Sequence, residues 1–385
     1  MQPRHWTRIL ALLAVLAVGV CLSLYLVTRS RDGSQTPSRL RIGCITILSG
    51  EVATYGKETK QGVDLAIEEA NQSGMLGNRK IEVVYEDDQI DARIGTQAIN
   101  KLISVDKVPV IIGAFSSRVT LAIAPIAERN KVVLISASAT ADAIKDAGDY
   151  IFRTVPPNHV QGTSAARFAL DRLKKKSVAV FYVNDEYGVS LAAEFRKAFE
   201  ASGGKVLFYE AFAPSQKDFR SAIEKIKQAS PEFVYFPGQA GETGLILKQA
   251  RELGLTVPFI GGDGSYSPDL IKIAGNAAEG SYYTLMALGY GVSDDLIQDF
   301  EKRFKAKYGE APTVYASYAY DTAKIVAKVL SESAYNADDI KKHLYQVKGY
   351  KGVTGITSFD QYGEVDKDFY VYQVRGGKFE LCREK

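Results

Sequence analysis

From Leu40 onward, short apolar runs alternate with longer stretches of helical period, and that rhythm restricts the fold more than any other feature of the chain. RIGCITIL, KIEVVYEDD, VPVIIGA and KVVLISA read as strands. Between them, KETKQGVDLAIEEANQSG, closed by Gly74, and ARIGTQAINKLISVD read as helices. A strand that returns through a helix can pair only in parallel with the strand before it. A parallel sheet in turn needs helices on both faces. IFRTVPPN (Ile151 to Asn158) breaks the rhythm with two prolines, after which it restarts. HVQGTSAARFALDRLKKK, LAAEFRKAFEASGG, DFRSAIEKIKQAS and ETGLILKQARELG read as helices, and SVAVFYV, KVLFYEAF, EFVYFPG and PFIGGDG as strands. The 385 residues therefore hold two α/β halves, each with a doubly wound parallel sheet.

A third segment follows SYYTLMAL. Helical patterns run over 294–308, 315–330 and 337–346. The last part, DFYVYQV and KFELC, alternates as a hairpin should, after a glycine turn at Gln361-Tyr362-Gly363-Glu364. The helical block has too little sheet to stand alone, so it is expected to pack on the first lobe, with the hairpin crossing to the second. That gives a leading segment at 1–39, a first lobe at 40–157 plus 289–357, and a second at 158–288 plus 358–385. Three crossings are expected, near Val155 to Asn158, Thr284 to Gly289 and Ile356 to Phe359. Two lobes on a multi-strand hinge make a ligand clamp.

The leading segment reads as a targeting device. Arg4 and Arg8 precede an apolar stretch from Ile9 to Val27, followed by the polar linker SRDGSQTPS. The stretch is just long enough to span a bilayer and has no convincing small-residue cleavage site. An uncleaved anchor ranks first, a cleaved signal second and a lipoprotein cleaved before Cys21 third. Each places the body outside the cytoplasm, in a periplasm or on the outer face of the membrane. A net charge of +3, without a basic stripe, argues against nucleic acid. Cys21, Cys44 and Cys382 have no metal-ligand spacing, and a Cys44–Cys382 disulfide is one option in an oxidising compartment. With only His5, His159 and His343, no histidine-rich metal site is expected, and no motif asks for a cofactor.

Two strand ends carry the chemistry. VPVIIGA runs into Phe115-Ser116-Ser117 and then a helical pattern; VVLISA runs into Ser138-Ala139-Thr140. At such junctions, free helix N–H groups and hydroxyls converge and can hold a carboxylate or phosphate without a formal cation. Ser117 and Thr140 would also serve as ordinary helix caps. Two junctions in consecutive βα units favour one shared anion site at the carboxyl edge of the sheet.

SGEVATYGKETKQGVDLAIEEAN, GAFSS, ISASAT, NDEYG (Asn184 to Gly188), QKDF (Gln216 to Phe219), ILKQARELG and FDQYGE occur here in one order. Together they resemble the extracytoplasmic substrate-binding proteins of branched-chain amino acid ABC transporters, the type 1 periplasmic binding proteins. The resemblance covers nearly everything after residue 40. It implies a monomer that binds an α-amino acid in the cleft and docks on a membrane permease. Carried over by motif, Ser117 and Thr140 would hold the carboxylate, with backbone groups of Ser138. Asp263, where the family often has glutamate, would help hold the ammonium. Tyr187 would reach across from the second lobe, and Tyr55 would line the side-chain pocket from the first. Phe115 and Ser116 complete the strand-end cluster. Gln239 stands where the family often has an aromatic, so a polar amino acid or a small amide fits comparably with an aliphatic one.

The residues also weigh against other classes. GGDG (Gly261 to Gly264) lacks the third glycine of a dinucleotide loop, and GxxxxGK[ST], GxSxG and HExxH are all missing. Asp87-Asp88 would point to opposite faces of a strand and are read as closing a surface turn. A ligand sensor that signals through a partner receptor would use the same clamp. Only eight residues precede the apolar stretch, too few for a signalling domain, so delivery to a permease is favoured.

Overall fold

Two sheets, each fed by helices, divide the chain. A computed structural model describes residues 38–286 and 293–382. The first sheet contains β1 (Arg39–Thr46), β2 (Lys80–Asp87), β3 (Val110–Ile112), β4 (Val133–Ser136) and β5 (Ile151–Arg153), in the order β2-β1-β3-β4-β5. Every neighbouring pair in it is parallel. Helices α1 (Ala53–Gln72), α2 (Ala92–Ser104) and α3 (Ser117–Asn130) join these strands. The order reverses between β1 and β3, which opens a crevice at their carboxyl ends.

After β5 the chain passes into α4 (Asn158–Arg167), extended by a π-helical turn at Phe168–Arg172. It then builds β6 (Ser177–Val183), α5 (Glu186–Ala201), β7 (Lys205–Phe212), α6 (Arg220–Ala229), β8 (Phe233–Tyr235), α7 (Ala240–Glu252), β9 (Phe259–Gly261), α8 (Pro268–Ala274) and β10 (Tyr282–Met286). Next come α9 (Asp294–Tyr308), α10 (Val314–Glu332), α11 (Ala337–Gln346) and the small hairpin β11 (Tyr350–Gly352) and β12 (Gly355–Thr357). The closing strands β13 (Phe369–Arg375) and β14 (Lys378–Leu381) pair antiparallel on β10, giving the second sheet the order β14-β13-β10-β9-β8-β6-β7. Side-chain oxygens set several helix starts: Asp91, Ser116, Asp185, Thr313 and Asn336 each accept a backbone N–H of the first turn.

The late helices belong to the first half. Tyr308 donates to the Gln61 carbonyl at 2.9 Å, and Tyr320 to Glu69 at 2.6 Å. Gly62 lets α1 and α10 meet backbone to backbone, because a Cβ there would lie 2.1 Å from the Ala316 carbonyl oxygen. The first crossing is pinned to this half by a 2.7 Å hydrogen bond between the Thr154 and Thr322 hydroxyls.

Three details depart from the sequence reading. Ile151 to Arg153 form a strand on β4 instead of a break; three residues ending in arginine carry no period to read. Asp88 is buried, not at the surface, and burial pushes its carboxyl up to about 6, although the Ile90 N–H donates to it. Cys44 is buried in the first sheet, Cys382 follows the last strand of the second, and both are free thiols. The expected anchor at Ile9 to Val27 lies outside the described residues. Among the described residues, no helix is long and apolar enough to cross a membrane.

Replacing Gly62 with alanine is expected to force α1 and α10 apart and cost about 1–3 kcal/mol or more, read as a lower urea midpoint. An unchanged midpoint would mean the two helices yield at no cost.

Candidate functional site

Every candidate residue after Tyr55 sits at or just past the carboxyl end of a parallel strand. The loops after β3 and β4 form the first wall. Ser116 is the N-cap of α3; its hydroxyl accepts the Val119 N–H at 3.2 Å. Ser117, one residue into the helix, caps nothing there. Its hydroxyl oxygen instead accepts the N–H groups of Thr140 and Ala141 at 3.2 and 3.1 Å, which joins the two junctions read from the sequence. Ser138 donates to the Phe115 carbonyl at 2.9 Å. Thr140 is buried, and its hydroxyl has no partner. A hydroxyl withdrawn from water and left unpaired costs free energy unless something meets it.

The second wall is built around Asp263. It begins a short 3-10 turn after β9 and does not cap α8, whose N-cap is Ser267. Its carboxylate is buried. Oδ1 accepts the Tyr187 hydroxyl at 2.8 Å and the Gln161 amide at 3.0 Å. Burial raises its pKa, and these two neutral donors oppose the shift. Tyr187 does not reach across the cleft with its hydroxyl; that group also accepts the Gly264 N–H, within its own half. Asn158 ties the walls together at the first crossing. Its N–H donates to the Thr140 carbonyl at 2.8 Å, and its side-chain amide donates to the Tyr187 carbonyl at 3.2 Å.

Tyr55 joins the halves directly. Its hydroxyl donates to the Gly264 carbonyl at 2.8 Å and accepts the Ala240 N–H at 3.2 Å. Its ring stacks on Phe115 at 5.1 Å, and Tyr315 meets both rings edge-on. Tyr315 also crosses, donating to the Asp263 carbonyl at 2.6 Å. Gln239, just before α7, is half-buried, with Oε1 shielded from water and unpartnered. It lines a cleft of about 870 Å³ with Tyr55, Arg118, Asp185, Lys217 and Glu242. Among the described residues, no three His, Cys, Asp or Glu side chains could hold a metal ion.

The sequence reading missed Gln161, Asn158 and Tyr315. Gln161 and Asn158 are buried polar residues on α4, and polarity alone does not separate them from solvent-facing neighbours. Tyr315 opens the run YASYAY (Tyr315 to Tyr320), whose aromatic repeat was a signal that could have been read.

This arrangement matches the periplasmic binding protein family over residues 39–378. The chain belongs to that family. It is similar to the leucine-, isoleucine-, valine-, threonine- and alanine-binding protein of Pseudomonas aeruginosa, at 33% identity over 344 residues, covering 88% of this chain and 91% of the relative. A leucine-binding protein, LivK, from Thermotoga maritima superposes with a TM-score of 0.85 at 28% identity, covering 89% of this chain and 98% of that one. LivJ of Streptococcus pneumoniae, a branched-chain amino acid transporter substrate-binding protein solved with isoleucine, gives 0.83 at 30% identity, with the same coverage. The fold is that of a type 1 periplasmic binding protein, and the family's members are substrate-binding proteins of transport.

Two predictions come from the interface between the halves. Tyr55→Phe keeps the ring stack and removes both hydroxyl bonds, each worth about 0.5–1.5 kcal/mol net. The variant is expected to populate a more open form, seen as a larger radius of gyration in X-ray scattering; an identical scattering profile would remove Tyr55 from the closure. Glu58, one turn beyond Tyr55, is buried, and its carboxyl is pushed up to about 7, chiefly by burial and then by Asp269 and Glu310, against a hydrogen bond from Thr313. A raised carboxyl pKa stabilises the fold below the ordinary glutamate range, and that contribution is lost as pH rises through about 7. Glu58→Gln should therefore raise the melting temperature at pH 8 relative to the parent and not at pH 4. A gain of equal size at both would contradict this.

Proposed function

We propose that the protein captures a small amino acid, branched-chain or related, between its two lobes outside the cytoplasm and delivers it to the permease of an ABC transporter. The lobes are residues 40–157 with 289–357 and 158–288 with 358–385, and the segment at 9–27 acts as signal or tether. The observation that carries this reading is Asp263: a buried carboxylate whose side-chain partners are all neutral, tied through Tyr187 and Asn158 to the loop that holds the unpaired Thr140 hydroxyl. An α-amino acid brings one anion and one cation a bond or two apart. It would satisfy both walls and leave the closed site neutral overall.

The ligand carboxylate would take the Thr140 and Ser117 hydroxyls, because the N–H groups of residues 138–141 are already donated to Ser136 and Ser117. The ammonium would lie against Asp263, held in place by Tyr187 and Gln161. Tyr55, Phe115 and Gln239 would border the side chain. Closure would then be a population shift, because only the closed form brings both ends of the ligand to their partners. The relatives named above, with leucine, isoleucine, valine, threonine or alanine in their names, support the amino acid class.

A thermal-shift screen against all amino acids tests the class. Ligand at a hundred times its dissociation constant should add about 2.7 kcal/mol of stability; a flat response across all amino acids would overturn the reading. Asp263→Asn should weaken the ligand found by roughly 10- to 100-fold, the worth of one charge-assisted hydrogen bond, while the free protein melts no lower than the parent. Equal affinity in calorimetry would remove Asp263 from the site. Because burial raises the Asp263 pKa, an ammonium must displace its proton once the pH approaches that value. Affinity should fall with acidification, and heats in buffers of different ionisation enthalpy should show protons released on binding. Proton uptake would place the ligand cation elsewhere.

A further inference from the structure

Arg153 is completely buried at the end of β5, just before the first crossing, and the proposed capture of ligand does not use it. A buried guanidinium needs a counter-charge and acceptors for its five N–H groups. Here they come from opposite sides. Glu364, in the turn that follows β12, takes a fork: Nε donates to Oε1 at 2.8 Å and Nη2 donates to Oε2. Nη1 points the other way, donating to the Ala141 carbonyl at 2.9 Å and more loosely to that of Ala139 at 3.5 Å.

Those two carbonyls flank Thr140. The same loop gives its Thr140 and Ala141 N–H groups to Ser117, and its Thr140 carbonyl accepts the Asn158 N–H. Backbone bonds complete the link to that turn, since the Arg153 N–H donates to the Gly363 carbonyl at 3.0 Å and the Asp360 carboxylate accepts the Glu364 N–H at 2.9 Å. A buried ion pair is a poor device for stability alone, because apolar residues of similar volume would serve as well. What a guanidinium fork gives is direction: it fixes the planes of the peptide groups it bonds.

We propose that Arg153 and Glu364 are positioning residues that fix the backbone of the 139–141 loop from the far side, so that the unpaired Thr140 hydroxyl, and the Ser117 hydroxyl that the loop's N–H groups hold, are set for a ligand carboxylate. This rests on the reading of that loop as the carboxylate site. It adds that the turn after β12, through Glu364, sets the loop's geometry.

The test pairs Arg153→Met with Glu364→Leu, which removes the clamp without leaving a buried charge unpaired. Two readouts are taken on the full protein. In the absence of ligand, hydrogen exchange at the amides of residues 139–142 should speed up by about tenfold, with the β3 amides unchanged. In calorimetry, affinity for L-leucine should fall by about tenfold and affinity for L-leucinamide, which lacks the carboxylate, by no more than about threefold. If the double variant does not fold, Glu364→Gln, which keeps size and one acceptor, is measured the same way, with smaller changes in the same direction. Unchanged exchange in the loop, or equal losses for the acid and the amide, would overturn the proposal. If the parent binds no L-leucine, the carboxylate reading of the site is in question, and the exchange experiment still decides whether the pair fixes the loop.

Discussion

A carboxylate held out of water with only neutral donors around it is the constraint on which the rest of this structure turns. Desolvation penalises the Asp263 charge, and two hydrogen bonds from Tyr187 and Gln161 offset part of that penalty. Both donors need precise placement, which explains why so much of the second lobe converges there. Gln161 is held by the Thr284 carbonyl and hydroxyl on β10, and the Tyr187 hydroxyl also accepts the Gly264 N–H. Thr284, on β10, is thereby part of the support of Asp263.

The parallel sheets make this convergence possible. Side chains at the carboxyl ends of parallel strands are presented by loops free to differ, while the strands behind them stay fixed. Both lobes turn those ends toward each other. At the centre of the contact between them, Tyr55, Phe115 and Tyr315 form a three-ring cluster whose tyrosine hydroxyls reach backbone atoms of the other half, while Lys217 and Glu51 add one exposed ion pair at the rim. Neutral hydrogen bonds of this kind hold without the salt sensitivity of ion pairs, and each is weak enough to be exchanged during opening.

How far this was legible follows from length and period. The long elements wrote themselves plainly: α9 and α11 begin and end where the apolar pattern does, and SVAVFYV and KVLFYEAF are β6 and β7 residue for residue. Of the three-residue strands, β3, β8 and β9 sit in apolar runs and were legible, while β5, β11 and β12 lack such runs and passed as loops. The features of the proposed site that show in the sequence are residues that stand out against their neighbours, as Ser117, Thr140 and Asp263 do. That site was not legible where a residue's role is to hold another, as with Gln161, Asn158 and Arg153. Polarity at a buried helix position looks the same in sequence as polarity at an exposed one. Only the fold reveals which is which.

The interleaving of the lobes has a further consequence for how the chain reaches its final form. The first sheet is complete by Arg153, yet α1 lacks its partner until α10 arrives more than a hundred residues later. The second sheet waits in the same way for β13 to cover β10. A chain that appears from its N-terminus cannot finish the first core before α10 is present, nor the second before β13. Sheets formed before then leave apolar faces uncovered, the kind of surface that makes intermediates prone to aggregation. The topology thus ties the completion of both lobes to the arrival of the last third of the chain.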